Sequence, residues 1–330
     1  MTEKKRILSG MRPTGRLHLG NLHGALENWI QLQKQYDCFF FVADWHALTT
    51  DYATPGDIHG NIWDMVLDWL SAGLDPKYCT LFIQSEVKEH AELHLLLSMI
   101  TPLSWLERVP TYKDQIRQFR DQGKDIGTYG FLGYPLLMAA DILMYRPFGV
   151  PVGEDQLPHL EFCRELSRRF YALYGAEVFT EPKALLAQIS MLPGIDKRKM
   201  SKSYNNFINL SADEKEVKDK IKQMITDPER IRKTDPGHPD ICCVHTYHGF
   251  YNKQQQAEIS ENCRCGAIGC GECKNCLSAK INEFLAPVRE RRAALEAKPH
   301  LVDDVIEAGN TAARRVAVET MVMVREAMKI

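Results

Sequence analysis

Three things are scarce in this 330-residue chain: an excess of charge of one sign, long apolar runs, and stretches of biased composition. The formal net charge is only -2. That excludes a protein that holds nucleic acid or an anionic surface through bulk basic excess, so any RNA contact must be local. The longest apolar run, residues 38–43, is far too short to span a bilayer. Residues 1–10 are charged and lack the apolar core of a signal peptide. The expected location is therefore the cytoplasm, with no membrane partner. No internal repeat or low-complexity segment interrupts the chain, which is long enough for a large core and two domains.

What is present is more telling. Ten cysteines occur, and seven of them fall between Cys242 and Cys276. The chain is neither small nor evidently secreted, so this clustering argues for a metal or cluster site rather than disulfides.

The first half alternates strand and helix signals. Residues 6–9 read as a strand, followed by a Gly- and Pro-containing turn and a helix over 19–35. Residues 38–43 form a continuous apolar run, as expected for a strand buried on both faces. A helix over 57–72 carries Ile58, Ile62, Met65, Val66 and Trp69 at helical spacing, and 80–84 is the next strand. This rhythm implies an α/β fold, a Rossmann-like doubly wound parallel sheet with ligands at the carboxyl ends of its strands. Residues 89–146 turn mainly helical, an insertion between two halves of the sheet. Strand signals return at 150–152 and 188–191. Ser211-Ala212-Asp213-Glu214 reads as a capping box opening a helix to about 226. Beyond Cys276 the chain is helical, notably over 289–297 and 311–328. The expected division is 1–205 and a helical C-terminal domain, 206–330, that contains the cysteine cluster.

Lys199-Met200-Ser201-Lys202-Ser203 lies on an exposed polar loop, and His18-Leu19-Gly20-Asn21 at a strand-to-helix turn. The first places two ammonium groups and two hydroxyls on a short loop; the second offers an imidazole and a glycine. Together they describe a site that holds the triphosphate of ATP from two sides.

This pairing resembles the two signatures of class I aminoacyl-tRNA synthetases. Met11-Arg12-Pro13-Thr14-Gly15, Val42-Ala43-Asp44-Trp45-His46, Leu137-Met138-Ala139-Ala140-Asp141-Ile142-Leu143 and Val150-Pro151-Val152-Gly153-Glu154-Asp155-Gln156 are similar to the tryptophanyl branch. The resemblance runs from about residue 5 to the C-terminus. It implies activation of L-tryptophan by ATP, transfer to tRNA(Trp), a homodimer, and residues 206–330 as the anticodon-binding domain. A carboxylate is already ionised at neutral pH, so adenylation needs no general base. Catalysis comes from positioning and from stabilising charge on the leaving phosphates. The resemblance assigns Lys199 and Lys202 to the pyrophosphate with Ser201 and Ser203 as hydroxyl donors, and His18, Gly20 and Asn21 to the phosphates. Asn21 stands where a second histidine is common. Arg12, Lys113, Gly153 and Asp155 complete the ATP set, Asp155 accepting from the ribose. Magnesium accompanies ATP without a dedicated protein cage.

For the amino acid, Asp141 is assigned to the indole N–H and Met138, three residues earlier on one helix face, to packing along the ring. Tyr134 and Gln156 are assigned to the ammonium group, with Val150 and His46 as walls. Read without the resemblance, Asp141 is a buried hydrogen-bonded carboxylate and Met138 helix core. Tyrosyl enzymes are the nearest rival, and an RNA-binding paralogue without catalysis is a second. The Gly-Glu-Asp-Gln and Asp-Trp-His strings favour tryptophan.

Cys242, Cys263, Cys270 and Cys273 give a C-x20-C-x6-C-x2-C arrangement, with Cys243, Cys265 and Cys276 as alternates. Four thiolates suit zinc or iron–sulfur alike; the resemblance favours a [4Fe–4S] cluster, carried by a subset of tryptophanyl enzymes. Arg289, Arg291, Arg292, Arg314 and Arg315 are candidates for tRNA phosphates.

Overall fold

The structure, a computed structural model, describes residues 4–53, 55–109, 126–186 and 191–330. Five parallel strands form one sheet: β1 (Arg6–Met11), β2 (Asp37–Val42), β3 (Cys79–Ile83), β4 (Gly149–Val152) and β5 (Lys183–Leu186), in the order β3-β2-β1-β4-β5. The order reverses between β1 and β4, which opens a crevice at their carboxyl ends.

The apolar run of β2 explains why both faces are covered. Phe40 and Val42 join Ile7 and Leu81 on one face; Phe39 and Phe41 join Leu8 and Phe82 on the other. Against the first face lie α1 (Leu19–Asn21), a π-helical turn (Leu22–Leu26), α2 (Glu27–Leu32), α4 (Ile58–Ala72) and α13 (Cys270–Glu296). Trp29 stacks on Phe40 at 4.4 Å between ring centroids and meets Trp69 edge-on. Against the second face lie α5 (Glu89–Ser98), α8 (Tyr134–Met144), α9 (Leu157–Tyr174) and α14 (His300–Met328). Between these come α3 (Asp44–Asp51), α6 (Leu103–Glu107), α7 (Tyr129–Leu132), α10 (Glu214–Gln223), α11 (Cys243–Tyr251) and α12 (Gln256–Arg264).

Several boundaries differ from the sequence reading. The helix expected over 19–35 contains the π-helical turn and ends at Leu32. The cap of α10 is Asp213, not Ser211: its carboxylate accepts the Glu216 N–H at 2.7 Å, a contact the Ser211 hydroxyl does not make. The fifth strand is Lys183–Leu186, a short edge strand whose partly exposed residues give no periodic signal. Of the strand expected at 188–191, residues 188–190 lie outside the described residues, and Met191 is irregular.

The C-terminal helices grip the sheet domain. Asn310 of α14 accepts the Ile83 N–H at 2.9 Å, covering the edge strand β3. Gly309 allows this approach, because a Cβ there would overlap the Leu81 carbonyl oxygen. Arg292 of α13, 4 % exposed, is ion-paired to Asp68 and Asp64 of α4 and to Glu296. Arg289, Arg291 and Arg314 likewise bond to the carbonyls of Ala212, Ser71 and Glu86. Of the five arginines considered for tRNA, four therefore tie the C-terminal helices down, and Arg292 is sequestered. Arg292→Ala leaves Asp68 charged and buried without its cation. The expected loss is about 3–5 kcal/mol, seen as a fall in Tm.

Candidate functional site

A cavity of about 310 Å³ occupies the crevice at the carboxyl ends of β1 and β4. That is at the lower end of the usual range for small-ligand pockets. All six residues assigned to the amino acid, His46, Tyr134, Met138, Asp141, Val150 and Gln156, line it, as do Arg12 and Gly153. Trp29, Phe41 and Ile142 add apolar wall. A flat aromatic side chain suits such a lining, with a few polar groups to orient it.

Asp141 is 1 % exposed on α8 and sits at the centre of a polar network. One carboxylate oxygen accepts from His46 Nε2 at 2.8 Å, the other from His90 Nδ1 at 2.6 Å, and the Gln84 amide donates to both. The Tyr145 hydroxyl bonds His90 Nε2 at 2.8 Å. Burial alone would push the carboxyl up, but the hydrogen bonds and charges of His46 and His90 outweigh it and hold it at about 2. Asp141 is thus an ionised carboxylate at any working pH. Tyr134 meets His46 edge-on at 5.0 Å.

The His18 turn is closed reciprocally. His18 Nδ1 accepts the Asn21 main-chain N–H at 3.2 Å, and the Asn21 side-chain oxygen Oδ1 accepts the His18 main-chain N–H at 3.0 Å. Burial, then the Lys202 charge, lowers the His18 pKa to about 4, so the ring is neutral at pH 7. With Nδ1 accepting, the proton resides on Nε2, which is the donor available to a phosphate. The Leu17 N–H, just before, is fixed by Asp68 at 2.7 Å.

The loop at 199–203 lies against this turn. The Gly20 N–H points at Met200 Sδ, 3.2 Å away, so a thioether stands where an anionic oxygen would accept. Lys202 Nζ donates to the Thr14 carbonyl at 2.7 Å. Burial lowers its pKa to about 8, with Asp68 and Asp64 pulling the other way. The buried Asn206 frames the loop, accepting the Ser201 N–H at 2.8 Å and donating to the Lys199 carbonyl at 3.1 Å. Lys199 is exposed, and Ser203 sits in the turn Lys202–Tyr204. Arg12 bonds Thr50 and faces Asp51 at 3.6 Å, while its buried Nε has no protein partner. Asp155 accepts from the Gln156 amide at 2.7 Å. Lys113 lies outside the described residues.

The family described as tRNA synthetases class I (W and Y) matches residues 1–286. The tryptophan–tRNA ligase of Thermotoga maritima is 51 % identical over 98 % of this chain and 99 % of its own length. That of Aquifex aeolicus is 44 % identical over 98 % and 100 %. A Campylobacter jejuni tryptophanyl-tRNA synthetase, solved with ADP and tryptophan, superposes with a TM-score of 0.89 at 33 % identity, covering 98 % and 100 % of the two chains. The chain belongs to the class I tryptophanyl-tRNA synthetases. The tyrosyl-tRNA synthetase of Archaeoglobus fulgidus, at 20 % identity and a TM-score of 0.64, shares the fold.

Within this synthetase, sequence reasoning missed Gln84, His90 and Tyr145, which hold Asp141, and Asn206, which holds the loop. Gln84 and His90 come from elements more than 50 residues away, and Tyr145 and Asn206, though near in sequence, carry no local pattern that marks them.

Outside this crevice, the group of seven cysteines divides. The Cys273 thiol is pushed up to about 12, by burial first and then by its neighbours Cys242, Cys263, Cys270 and Cys276. The Cys263 thiol is also raised, by burial and by Cys242 and Cys270, while Arg230 opposes. Arg230 Nη1 stands 3.7 Å from Cys263 Sγ. Cys243 instead donates to the Gly194 carbonyl at 3.4 Å, and Cys265 is exposed. No three of these sulfurs lie within 4.8 Å of one another; among the described residues only Asp227, Glu229 and His238 form so tight a set. His238 Nδ1 is already 2.9 Å from Asp227 there.

Proposed function

We propose that this chain activates L-tryptophan with ATP, forming tryptophanyl-adenylate, and transfers the acyl group to tRNA(Trp). The observation that carries this reading is the convergence of all six amino acid residues on one cavity beside the His18 turn and the Lys202 loop. The relatives named tryptophan–tRNA ligase agree with it over nearly their whole length. ATP and Mg2+ are the expected co-reactants of a synthetase, the phosphates supplying most of the metal's ligands.

Each group has a task that its geometry supports. His18 Nε2–H and the Asn21 amide donate to phosphate oxygens. Lys202, with Lys199, Ser201 and Ser203 on the same loop, neutralises the departing pyrophosphate; the loop shifts so that an oxygen replaces Met200 Sδ at the Gly20 N–H. Arg12 and Lys113 add positive charge, and Gly153 and Asp155 hold the adenosine side. Asp141 accepts the indole N–H in exchange for one of its four present donor contacts, Met138 packs along the ring, Val150 and His46 form the walls, and Tyr134 and Gln156 hold the ammonium end. Charging of a tRNA(Trp) transcript with labelled tryptophan tests the whole sequence of steps; its failure in folded, ATP-supplied protein would favour the RNA-binding paralogue.

A pH dependence follows from Lys202. Its ammonium is the useful form and its pKa is lowered to about 8. kcat/KM for ATP, which reports the free enzyme, is expected to fall as pH rises through about 8. His18, neutral above about 4, contributes no inflection between pH 5 and 8.

Residues 206–330 supply anticodon recognition in this reading, the location is the cytoplasm, and the assembly is a homodimer. The exposed Leu95, Met99 and Leu103 offer apolar surface for the partner copy. Cys242, Cys263, Cys270 and Cys273 ligate a [4Fe–4S] cluster. Four thiolates suit zinc and iron–sulfur alike; the preference for the cluster rests on the resemblance, and on the mutual proximity that helps raise the Cys273 thiol. Arg230 offsets the cluster's negative charge. Anaerobically purified protein is expected to hold about four irons per chain; about one zinc and no iron would sink the cluster.

A further inference from the structure

The turn that follows the phosphate-binding residues is π-helical, Leu22–Leu26, a geometry that recurs at functional sites because its wide turn must be held from outside. One side of it faces the catalytic cavity, through Gly24 and Ala25. The other side carries His23, two residues after Asn21, with a side chain only 7 % exposed. His23 Nδ1 is 2.9 Å from the Glu27 carboxylate, and its Nε2 is 2.7 Å from the Tyr251 hydroxyl. A carboxylate only accepts, so in the neutral ring Nδ1 donates to Glu27 and Nε2 accepts the Tyr251 O–H. The ring also meets Phe250 at 5.0 Å, Tyr251 at 5.4 Å and Phe284 at 6.3 Å.

Those aromatic partners sit on the helices that bear the cysteines. Tyr251 ends α11, which is capped by Cys242; Phe284 lies on α13, which begins at Cys270 and includes Cys273. Beside Tyr251, the Asn252 amide donates to Cys276 Sγ at 3.7 Å and lies 3.3 Å from His248 Nδ1. His248 Nε2 is 3.4 Å from Cys273 Sγ. A continuous set of contacts therefore runs from the thiols to the His18 turn.

We propose that His23 is a positioning residue for ATP, clamped by Tyr251 and Phe284 so that the cysteine-bearing helices set the geometry of the His18–Asn21 turn. The proposal rests on the assignment of that turn to ATP phosphates. It accounts for a histidine placed between the two halves of the chain, facing away from the catalytic cavity. It also makes the cysteine site a determinant of ATP affinity without contact with the nucleotide, through a physically connected element.

The test compares wild type, His23→Leu, Tyr251→Phe and the double variant in pyrophosphate exchange, with KM taken separately for ATP and tryptophan. Tyr251→Phe removes one hydroxyl and keeps the ring, so it decides the matter if His23→Leu fails to fold. Each single variant is expected to raise KM for ATP about five- to tenfold, in line with one lost buried hydrogen bond, and to leave KM for tryptophan within twofold. The double variant is expected to be no worse than His23→Leu, because both remove one interaction. Equal changes in both KM values, additive effects, or a lowered Tm with unchanged KM values would overturn the proposal. Wild type without exchange would instead count against the assigned activity; equilibrium dialysis of ATP then reads the same comparison as Kd. Loss of the metal through Cys273→Ser should raise the ATP Kd in wild type and add nothing in Tyr251→Phe. An equal rise in both backgrounds would contradict the relay.

Discussion

Lys202→Ala is expected to lower kcat/KM for ATP in tryptophan-dependent pyrophosphate exchange by about 10²–10³-fold, the usual consequence of removing one preorganised donor from developing charge. Several observations raise the effect above that of an ordinary surface lysine. Its ammonium is tethered to the Thr14 carbonyl in the turn that precedes His18. Burial has already lowered its pKa to about 8, and Asp64 and Asp68 keep it charged near neutrality. The cation is therefore desolvated and oriented before ATP arrives. In adenylation the attacking carboxylate needs no base, so charge on the pyrophosphate is the main thing left to stabilise. Tryptophan binding measured without ATP should be unchanged, because Lys202 does not line the amino acid cavity.

Asp141→Asn is expected to be the other severe change, raising KM for tryptophan by about 10²-fold and lowering stability by about 3–5 kcal/mol. The substitution keeps the shape and replaces one acceptor by a donor. His46 Nε2, His90 Nδ1 and the Gln84 amide all present N–H groups to the carboxylate, and an amide cannot accept from all of them. At least one buried donor loses its partner, and the indole N–H meets an amide in place of a carboxylate. The acid limb of stability should change as well. The carboxyl pKa is lowered from 3.8 to about 2 on folding. Its contribution is therefore present above 3.8 and is lost as pH falls from there through about 2. In Asp141→Asn that acid-side loss should be absent.

The sheet-bearing half of the fold was legible because its signals are local. The apolar run 38–43 is β2 with one residue's shift, and the periodic helix over 57–72 is α4 with Asp57 as its cap. The His18 and Lys202 motifs are contiguous strings, and the cavity residues sit on short segments of α3, α8, β4 and the turn that follows β4. The edge strand Lys183–Leu186 was not legible, since a half-exposed strand of four residues carries neither alternation nor a long apolar run. The helix α14 was legible over 311–328, but its crossing back to cover β3 was not: that contact depends on Gly309 and Asn310 meeting Leu81 and Ile83 across more than 200 residues. The partners of Asp141 were hidden for the same reason. Gln84 and His90 lie at the end of β3 and in α5, where a lone polar residue resembles any other until the chain folds. The cysteines were legible as a cluster, whereas their division was not. Only the fold turns Cys243 to Gly194 and leaves Cys265 at the surface.

The measurement that tests the account most directly is amino acid-dependent ATP–pyrophosphate exchange with tryptophan and tyrosine run in parallel on metal-replete protein. The cavity formed by Asp141, Met138 and Val150 predicts strong exchange with tryptophan and none above background with tyrosine. Exchange with tyrosine in place of tryptophan would contradict the assignment of that cavity, while leaving the fold and the roles of His18 and Lys202 standing.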